Sequence, residues 1–405
     1  MKNKLNKLLI SIIIIYLIIA FNSSHVALDL SNLAIVVSMA IDTSDTNNLS
    51  VTFQFTNASS VSENGSSEQS PSIVNTVEAS SISSAINLMN SYIGKELSLS
   101  HCKLIVFSEE FAKQGISEEI YTLMNDNQIR PSTNLVISKC SAKYYIENSK
   151  PMLDSLITKY YEVYNNASLY TGYTTDATIG NFFNNLNCGT CEPYGILGGV
   201  NVEQNNTDTS INSEKDANSQ ANNSSISGSL RSENSGLAVF KDATLVGELT
   251  AIENLSFLCT KNDIEGFLVS VPNPENDTEY IDVNLVPSKD SKIKVDIING
   301  SPYIKVDFSF TGRIYSMTED FDFLDNTFLE NISKSCNSYL KTTFTNYYYK
   351  TSKELNSDIN GFGKFVLKHF STITDFNDYN WNDNYKNSFF DVNVDTNVKS
   401  GFLLM

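Results

Sequence analysis

The chain has 405 residues, a formal net charge of −18 and 41% hydrophobic residues. That length accommodates about two or three domains, and the apolar content is enough for a substantial core. The acidity, with no basic patch to offset it, excludes attraction to phosphate backbones and so excludes nucleic acid as a partner.

Lys2, Lys4 and Lys7 precede the apolar run "LLISIIIIYLIIAF" (8–21), and no acid occurs in the first 24 residues. The run is short against the roughly 20 residues of a bilayer span, and its basic start fits a secretory signal. Residues 1–24 are therefore expected to be a signal peptide or an uncleaved membrane anchor, with the body exported. Six cysteines, at 102, 140, 188, 191, 259 and 336, permit disulfides in an exported chain.

Two alternating runs, "LAIVVSMAID" (33–42) and "LSVTFQFTN" (49–57), flank the turn formers "TSDTNN" and predict a β-hairpin. The Ser/Glu/Asn stretch 59–72 reads as a loop. Ile82, Ala85, Ile86, Met89 and Ile93 share one helical face, with Ser81 able to cap its start and Gly94 its end. A strand at 101–108, a helix at 117–126 stopped before Pro131, and a strand at 134–139 follow. Alternating strands and helices point to an α/β or α+β first domain. Residues 203–235 hold few large apolar groups and read as a flexible Asn/Ser-rich linker.

Beyond it, "GLAVFKDATLVGEL" (236–249) reads as two strands around a tight turn at Lys241–Asp242, then a helix over "AIENLSFLCTK". Ile293, Val295 and Ile297 alternate with Lys292, Lys294 and Asp296; Ile304, Val306, Phe308 and Phe310 repeat the pattern after the hairpin dipeptide Asn299–Gly300. A one-faced antiparallel sheet is expected. Phe328, Ile332, Cys336 and Tyr339 predict a long helix across it, a shorter helix follows near 365–370, and a last strand carries Val392, Val394 and Val398 on one face.

Catalytic motifs are absent: there is no GxSxG, Walker loop, GxGxxG or HExxH, and "GFGK" (361–364) lacks the rest of a phosphate cradle. His101, before a strand, is expected to be a hydrogen-bonded structural residue. Cys188-Gly-Thr-Cys191 follows a helical stretch, whereas a redox pair needs a helix N-terminus, and no further zinc ligands lie nearby. A local disulfide or two plain thiols is the expectation. The acidic stretches 318–325 and 375–383 lack EF-hand spacing and read as solvated loops. No catalytic residue, cofactor-binding residue or metal ligand is assigned.

The segments "LAIVVSMAID", "SHCKLIVFSEEFAKQGI", "NDNQIRPSTNLVISKCSAKYYI", "LAVFKDATLVGELTAIE", "DINGFGKFV" and "WNDNYKNSFFDVNVDTNVKSG" resemble, in order and spacing, the C subunits of spore germinant receptors, the Ger(x)C (GerAC-type) family of spore-forming Firmicutes. The resemblance spans about residues 28–401. It implies a non-enzymatic protein without cofactors. It implies a fold of mixed α/β (α+β) character: three small domains with largely antiparallel sheets packed by helices, after the N-terminal segment. The boundaries fall at 28–200 for the N-terminal domain, 201–235 for the linker, 236–300 for a middle domain and 301–405 for a C-terminal α+β domain. The resemblance further implies a place on the outer face of the spore inner membrane, beside integral-membrane A and B subunits that act in nutrient-triggered germination. It leaves open whether a small-molecule germinant binds this subunit. Family members begin the mature chain with a lipid-modified cysteine; Ser24 occupies that position here, and His25 that of the following tryptophan. A serine hydroxyl cannot carry the thioether-linked lipid, so the apolar run is expected to stay attached as the anchor. Ordinary signal cleavage, with retention through protein contacts, is the alternative.

Two other functions are weighed on the residues. An extracellular solute-binding protein would show two similar α/β lobes around a hinge. An extracellular hydrolase would place paired carboxylates in a deep acidic cleft.

Overall fold

The computed structural model describes residues 32–45, 48–56, 72–150, 157–163, 166–201, 220–222, 232–316 and 326–399, plus Asn6, Ser11, Ile13, Ile14 and Tyr16 singly near the N-terminus. Ser24, His25 and the acidic stretch 318–325 lie outside the described residues. Among the described residues, no helix is long and apolar enough to cross a membrane.

The strands gather into two sheets. The first contains β1 (Leu33–Thr43), β2 (Leu49–Thr56), β3 (Ser72–Ala79), β4 (Glu96–Ser98), β5 (Leu104–Ser108), β6 (Asn134–Ser138), β7 (Tyr194–Val200), β8 (Ser232–Lys241) and β9 (Thr244–Leu249), in the order β3-β2-β1-β5-β6-β7-β8-β9 with β4 beside β1. Its centre, β1-β5-β6-β7, is parallel, and its margins are antiparallel. The central strands are apolar on both faces, as a sheet covered twice requires. On β5, Leu104 and Val106 enter one core cluster while Ile105 and Phe107 enter the other. Helices α1 (Ile82–Ile93), α2 (Ser117–Asn125) and α3 (Ala142–Asn148) follow the strands, and α4 (Ile179–Leu186) precedes β7. The hydroxyl of Ser81 accepts from the Ser84 N–H to cap α1, and Gly94 closes it in the left-handed region.

The second sheet, β10-β11-β12-β13, comprises Phe267–Asn273, Asn276–Ile298, Ser301–Ser316 and Phe389–Lys399. Asn299 and Gly300 both take positive φ, 51° and 82°, as a tight hairpin turn requires. Helix α5 (Ala251–Lys261) carries a full capping box between Thr250 and Glu253. Helix α6 (Asn326–Tyr349) buries Phe328, Ile332, Cys336, Leu340 and Phe344 along one stripe, and that stripe meets Val306, Phe308 and Phe310 in the same cluster. This cluster also holds Val37, Leu104 and Val239 of the first sheet, so both sheets share one continuous core.

Several expectations are corrected. The sheets are mixed rather than largely antiparallel: β13 runs parallel to β12, because the short helices after α6 carry the chain back along the sheet before it re-enters. Among the described residues three discrete modules do not appear. The expected boundary between the middle and C-terminal domains falls at the hairpin tip joining β11 and β12, which share one ladder from Ile298↔Ser301 outward. Most of the expected linker, 202–219 and 223–231, lies outside the described residues, but its end joins the first sheet: Ser232 and Glu233 pair with Val200 and Gly199 of β7, and the Ala221 N–H donates to the Ser235 carbonyl. Low side-chain hydrophobicity does not prevent this, because a ladder is built from backbone groups. Strand β3, just past the predicted loop, escapes pattern reading because an edge strand needs few buried residues.

Candidate functional site: a buried junction between the two sheets

Four segments distant in sequence meet where the first sheet abuts the helices behind the second. They are the cysteine segment before β7, the β8–β9 turn, the chain 356–364 beyond α6, and the helical turn Trp381–Asn384. Asp358 is at their centre and is 1% exposed. Its Oδ1 accepts the N–H groups of Gly361 (2.9 Å) and Phe362 (3.0 Å). Its Oδ2 accepts the Gly363 N–H (2.9 Å) and the Trp381 indole Nε1–H (2.9 Å). The "GFGK" stretch is therefore an anion-holding nest of successive backbone N–H groups, filled by a carboxylate of its own chain. Burial drives the Asp358 carboxyl up to about 6, against the pull of these donors.

Two glycines make the nest possible. Gly361 has φ +74°, a left-handed conformation that side chains rarely adopt. A Cβ on Gly363 would stand 2.7 Å from the Trp381 ring and 2.8 Å from the Thr190 carbonyl. Trp381, the single tryptophan of the chain, is 1% exposed and lies 5.9 Å, centroid to centroid, from Tyr385. Phe362 is fully buried against Tyr348, Tyr385 and Phe390.

The first sheet reaches this site through Glu192. Its N–H donates to the Asp358 carbonyl (3.1 Å), and its buried carboxylate accepts the Asp242 N–H at 2.7 Å. The other oxygen, Oε1, has no hydrogen-bond partner among the described residues. Burial raises the Glu192 carboxyl to about 7; the Asp242 N–H opposes the rise, and the Asp242 and Asp358 charges add to it. Ser357 donates to the Phe240 carbonyl at 2.5 Å, and Lys241 pairs with Asp383 at 3.4 Å. These contacts tie the β8–β9 turn to the later segments.

The sequence-predicted positions fall as follows. Cys188 and Cys191 are disulfide-bonded just beyond the C-terminal end of α4, and Cys191 borders Gly361. The remaining cysteines are free. His101 is exposed and, contrary to expectation, makes no hydrogen bond with the described residues; it stands three residues ahead of the strand that begins at Leu104. The histidine with a structural bond is His369, 2.9 Å from the Val295 carbonyl. The stretch 375–383 is not a loop: it forms the helices Ile373–Tyr379 and Trp381–Asn384, the first capped by Thr372. Among the described residues no group of three or more His, Cys, Asp or Glu side chains converges as a metal site.

Sequence reading passed over Asp358 and Trp381. The available signal was a lone tryptophan together with an acid three residues ahead of a Gly-x-Gly turn. The usual ligand position of a parallel sheet, outside the carboxyl ends of its strands, is a crevice of about 590 Å³ lined by Asp42, Ser108 and Lys139. Its polar groups serve the fold. Asp42 accepts the Ala142 and Lys143 N–H groups at the start of α3 (2.7 and 2.9 Å), Lys139 pairs with Glu248 at 2.7 Å, and Lys113 pairs with Glu109.

Comparison with known proteins places this architecture. Residues 27–194 match the family described as spore germination protein N-terminal domain, and residues 235–401 match spore germination B3/GerAC like, C-terminal. The spore germination protein KC of Bacillus subtilis (strain 168) is 22% identical over 372 residues, covering 90% of this chain and 88% of that protein. The crystal structure of the GerBC protein shares the fold, with a TM-score of 0.52 at 15% identity over 89% of this chain and 96% of that one. With both halves matched in order, the chain belongs to the GerAC-type family of spore germination proteins.

Proposed function

We propose that this protein is the C subunit of a spore germinant receptor, a non-enzymatic component that acts in nutrient-triggered germination by assembling with integral-membrane A and B subunits. The observation that carries the reading is the match of both halves, in order, to the two domains of a spore germination family. The site chemistry agrees with it. The two most perturbed acidic side chains, Asp358 and Glu192, are buried and accept backbone N–H groups that join segments of the chain. The solute-binding alternative finds no support in the architecture, since a doubly covered nine-stranded mixed sheet and a four-stranded sheet backed by α6 are not similar lobes.

In this reading the body lies on the outer face of the spore inner membrane. The apolar run 8–21 holds it there, because Ser24 cannot be lipidated. Burial of apolar side chains at roughly 0.8 kcal/mol per CH₂ is ample for one chain, and partner contacts add to it. The test is deletion of the gene in the sporulating organism that encodes it, followed by germination with single nutrients. Loss of response to at least one nutrient, restored by the intact gene, is expected. An unchanged response to all nutrients, in a strain also lacking paralogous C subunits, would remove the reading.

A further inference from the structure

A second cleft, distinct from the Asp358 junction, opens between the chain leading into α4 and the connection from α5 to β10. It has a volume of about 460 Å³, within the range of roughly 300–1,000 Å³ typical of small-ligand sites. Its floor is buried: Thr175 is 1% and Tyr194 8% exposed. Asp176, Asp263 and Glu265 stand exposed at its rim, with Asn181 beside them. Among the described residues no lysine or arginine lines it. Lys261, next to Asp263 in space, is a nearby cation, itself held below its ordinary pKa by burial.

Two independent features single this cleft out from an acidic surface. Tyr194, only 8% exposed, makes no hydrogen bond with the described residues, and its hydroxyl lies within reach of the charges of both Asp263 and Asp176. The walls are also firmly built. The fully buried Asn254 donates to the Gly172 and Thr174 carbonyls, both at 2.8 Å, and fixes the strap that presents Thr175 and Asp176. The Tyr194 ring packs edge-on against Phe257 at 4.8 Å, and the Leu169 carbonyl accepts the Glu265 N–H at 2.8 Å.

We propose that this cleft binds a small organic cation, a primary ammonium or guanidinium compound, with Asp176 and Asp263 as its charge partners and the Tyr194 hydroxyl as an acceptor for its N–H. The sign follows from the rim carboxylates. Burial raises the Asp263 carboxyl, the Lys261 charge opposes the rise and the Asp176 charge adds to it, so a bound cation would relieve the repulsion that remains between the two aspartates. A bare metal ion fits less well, because the three acids do not converge into a chelating group. The spread of acceptors suits a cation that carries several N–H donors over a longer body.

The test uses the full chain in detergent and does not depend on the receptor reading. Agmatine, which carries both head groups, is titrated calorimetrically, with calcium chloride as the comparison. Saturable agmatine binding is expected, weakened at least tenfold by Asp176→Asn and by Asp263→Asn and several-fold by Tyr194→Phe, with melting temperatures unchanged. Glu265→Gln, at the exposed rim, supplies a milder variant should either aspartate change impair folding; it too must weaken binding. Absence of saturable binding up to millimolar agmatine overturns the proposal, as does equal affinity in the variants or displacement by micromolar calcium. Turnover of an aryl glycoside abolished by Asp176→Asn would make the pair catalytic and overturn it as well.

Discussion

The indole N–H of Trp381 donates to the Asp358 carboxylate across 2.9 Å in a site from which both residues exclude water. With three backbone donors on the same carboxylate, it joins two segments that sequence alone leaves unrelated. Asp358→Ala leaves three buried N–H groups, those of Phe362, Gly363 and the Trp381 indole, without an acceptor, while the Gly361 N–H keeps the carbonyl of residue 358 at 3.2 Å, and is expected to cost at least about 3 kcal/mol. Trp381→Phe removes one donor and is expected to cost about 1–3 kcal/mol. Urea unfolding followed by circular dichroism measures both; loss of Asp358 with an unchanged midpoint would show that the nest contributes nothing.

Stability should depend on pH through Glu192 and Asp358. Both carboxyls are raised above their ordinary values, to about 7 and about 6, chiefly by burial. The folded state therefore holds protons that the unfolded chain has released. The associated stability is complete below the unfolded pKa values and is lost as pH rises through about 6 to 7. Glu192→Gln, which keeps an acceptor for the Asp242 N–H, should stabilise by about 1–3 kcal/mol at pH 8 and much less at pH 5. Equal gains at the two pH values would assign the effect to packing. Because Trp381 is the single tryptophan, its fluorescence reports the same titration at the site.

Gly363→Ala inserts a methyl group where Trp381 and the Thr190 carbonyl already stand within 2.8 Å. Overpacking of this kind costs about 1–3 kcal/mol. Gly189→Ala, where a Cβ meets nothing within 4 Å, is the control. Thermal melts of the pair should differ by several degrees.

Reduction of Cys188–Cys191 opens a short loop, for which the chain-entropy relation gives about 2 kcal/mol of lost stability. A Cys188→Ser/Cys191→Ser variant in urea should show it. Under native conditions Cys102, Cys259 and Cys336, all buried with thiols raised by burial, should resist alkylation, and half-buried Cys140 should react first. Mass spectrometry after brief iodoacetamide treatment reads the order.

Removal of Lys2–Ser24 is expected to shift the protein from the membrane to the soluble fraction when it is expressed without partner subunits. Sedimentation with membranes to the same extent as the intact chain would place retention elsewhere.

Elements with strong local signals were legible in the sequence. The Ser81-to-Gly94 helix, the helix over "AIENLSFLCTK" and the Asn299–Gly300 hairpin stand where local residue patterns placed them. Those signals act over a few residues, so one stretch of chain contains them whole. The edge strand β3, the parallel entry of β13 and the folding of Ser232–Ser235 onto β7 were not legible, because each depends on a neighbour supplied from elsewhere in the chain.

The sequence by itself determined the strands and helices with strong local patterns, the acidic character of the body, the absence of known catalytic motifs and the family resemblance. Only the tertiary structure decided that the two sheets share a core, that "GFGK" holds Asp358 rather than a phosphate, and that Glu192, Trp381 and the disulfide meet at one place. Periodicity and capping are written in neighbouring residues. The burial of a charge is decided by groups about 170 positions away, as from Glu192 to Asp358, and exists only once the chain has closed around it.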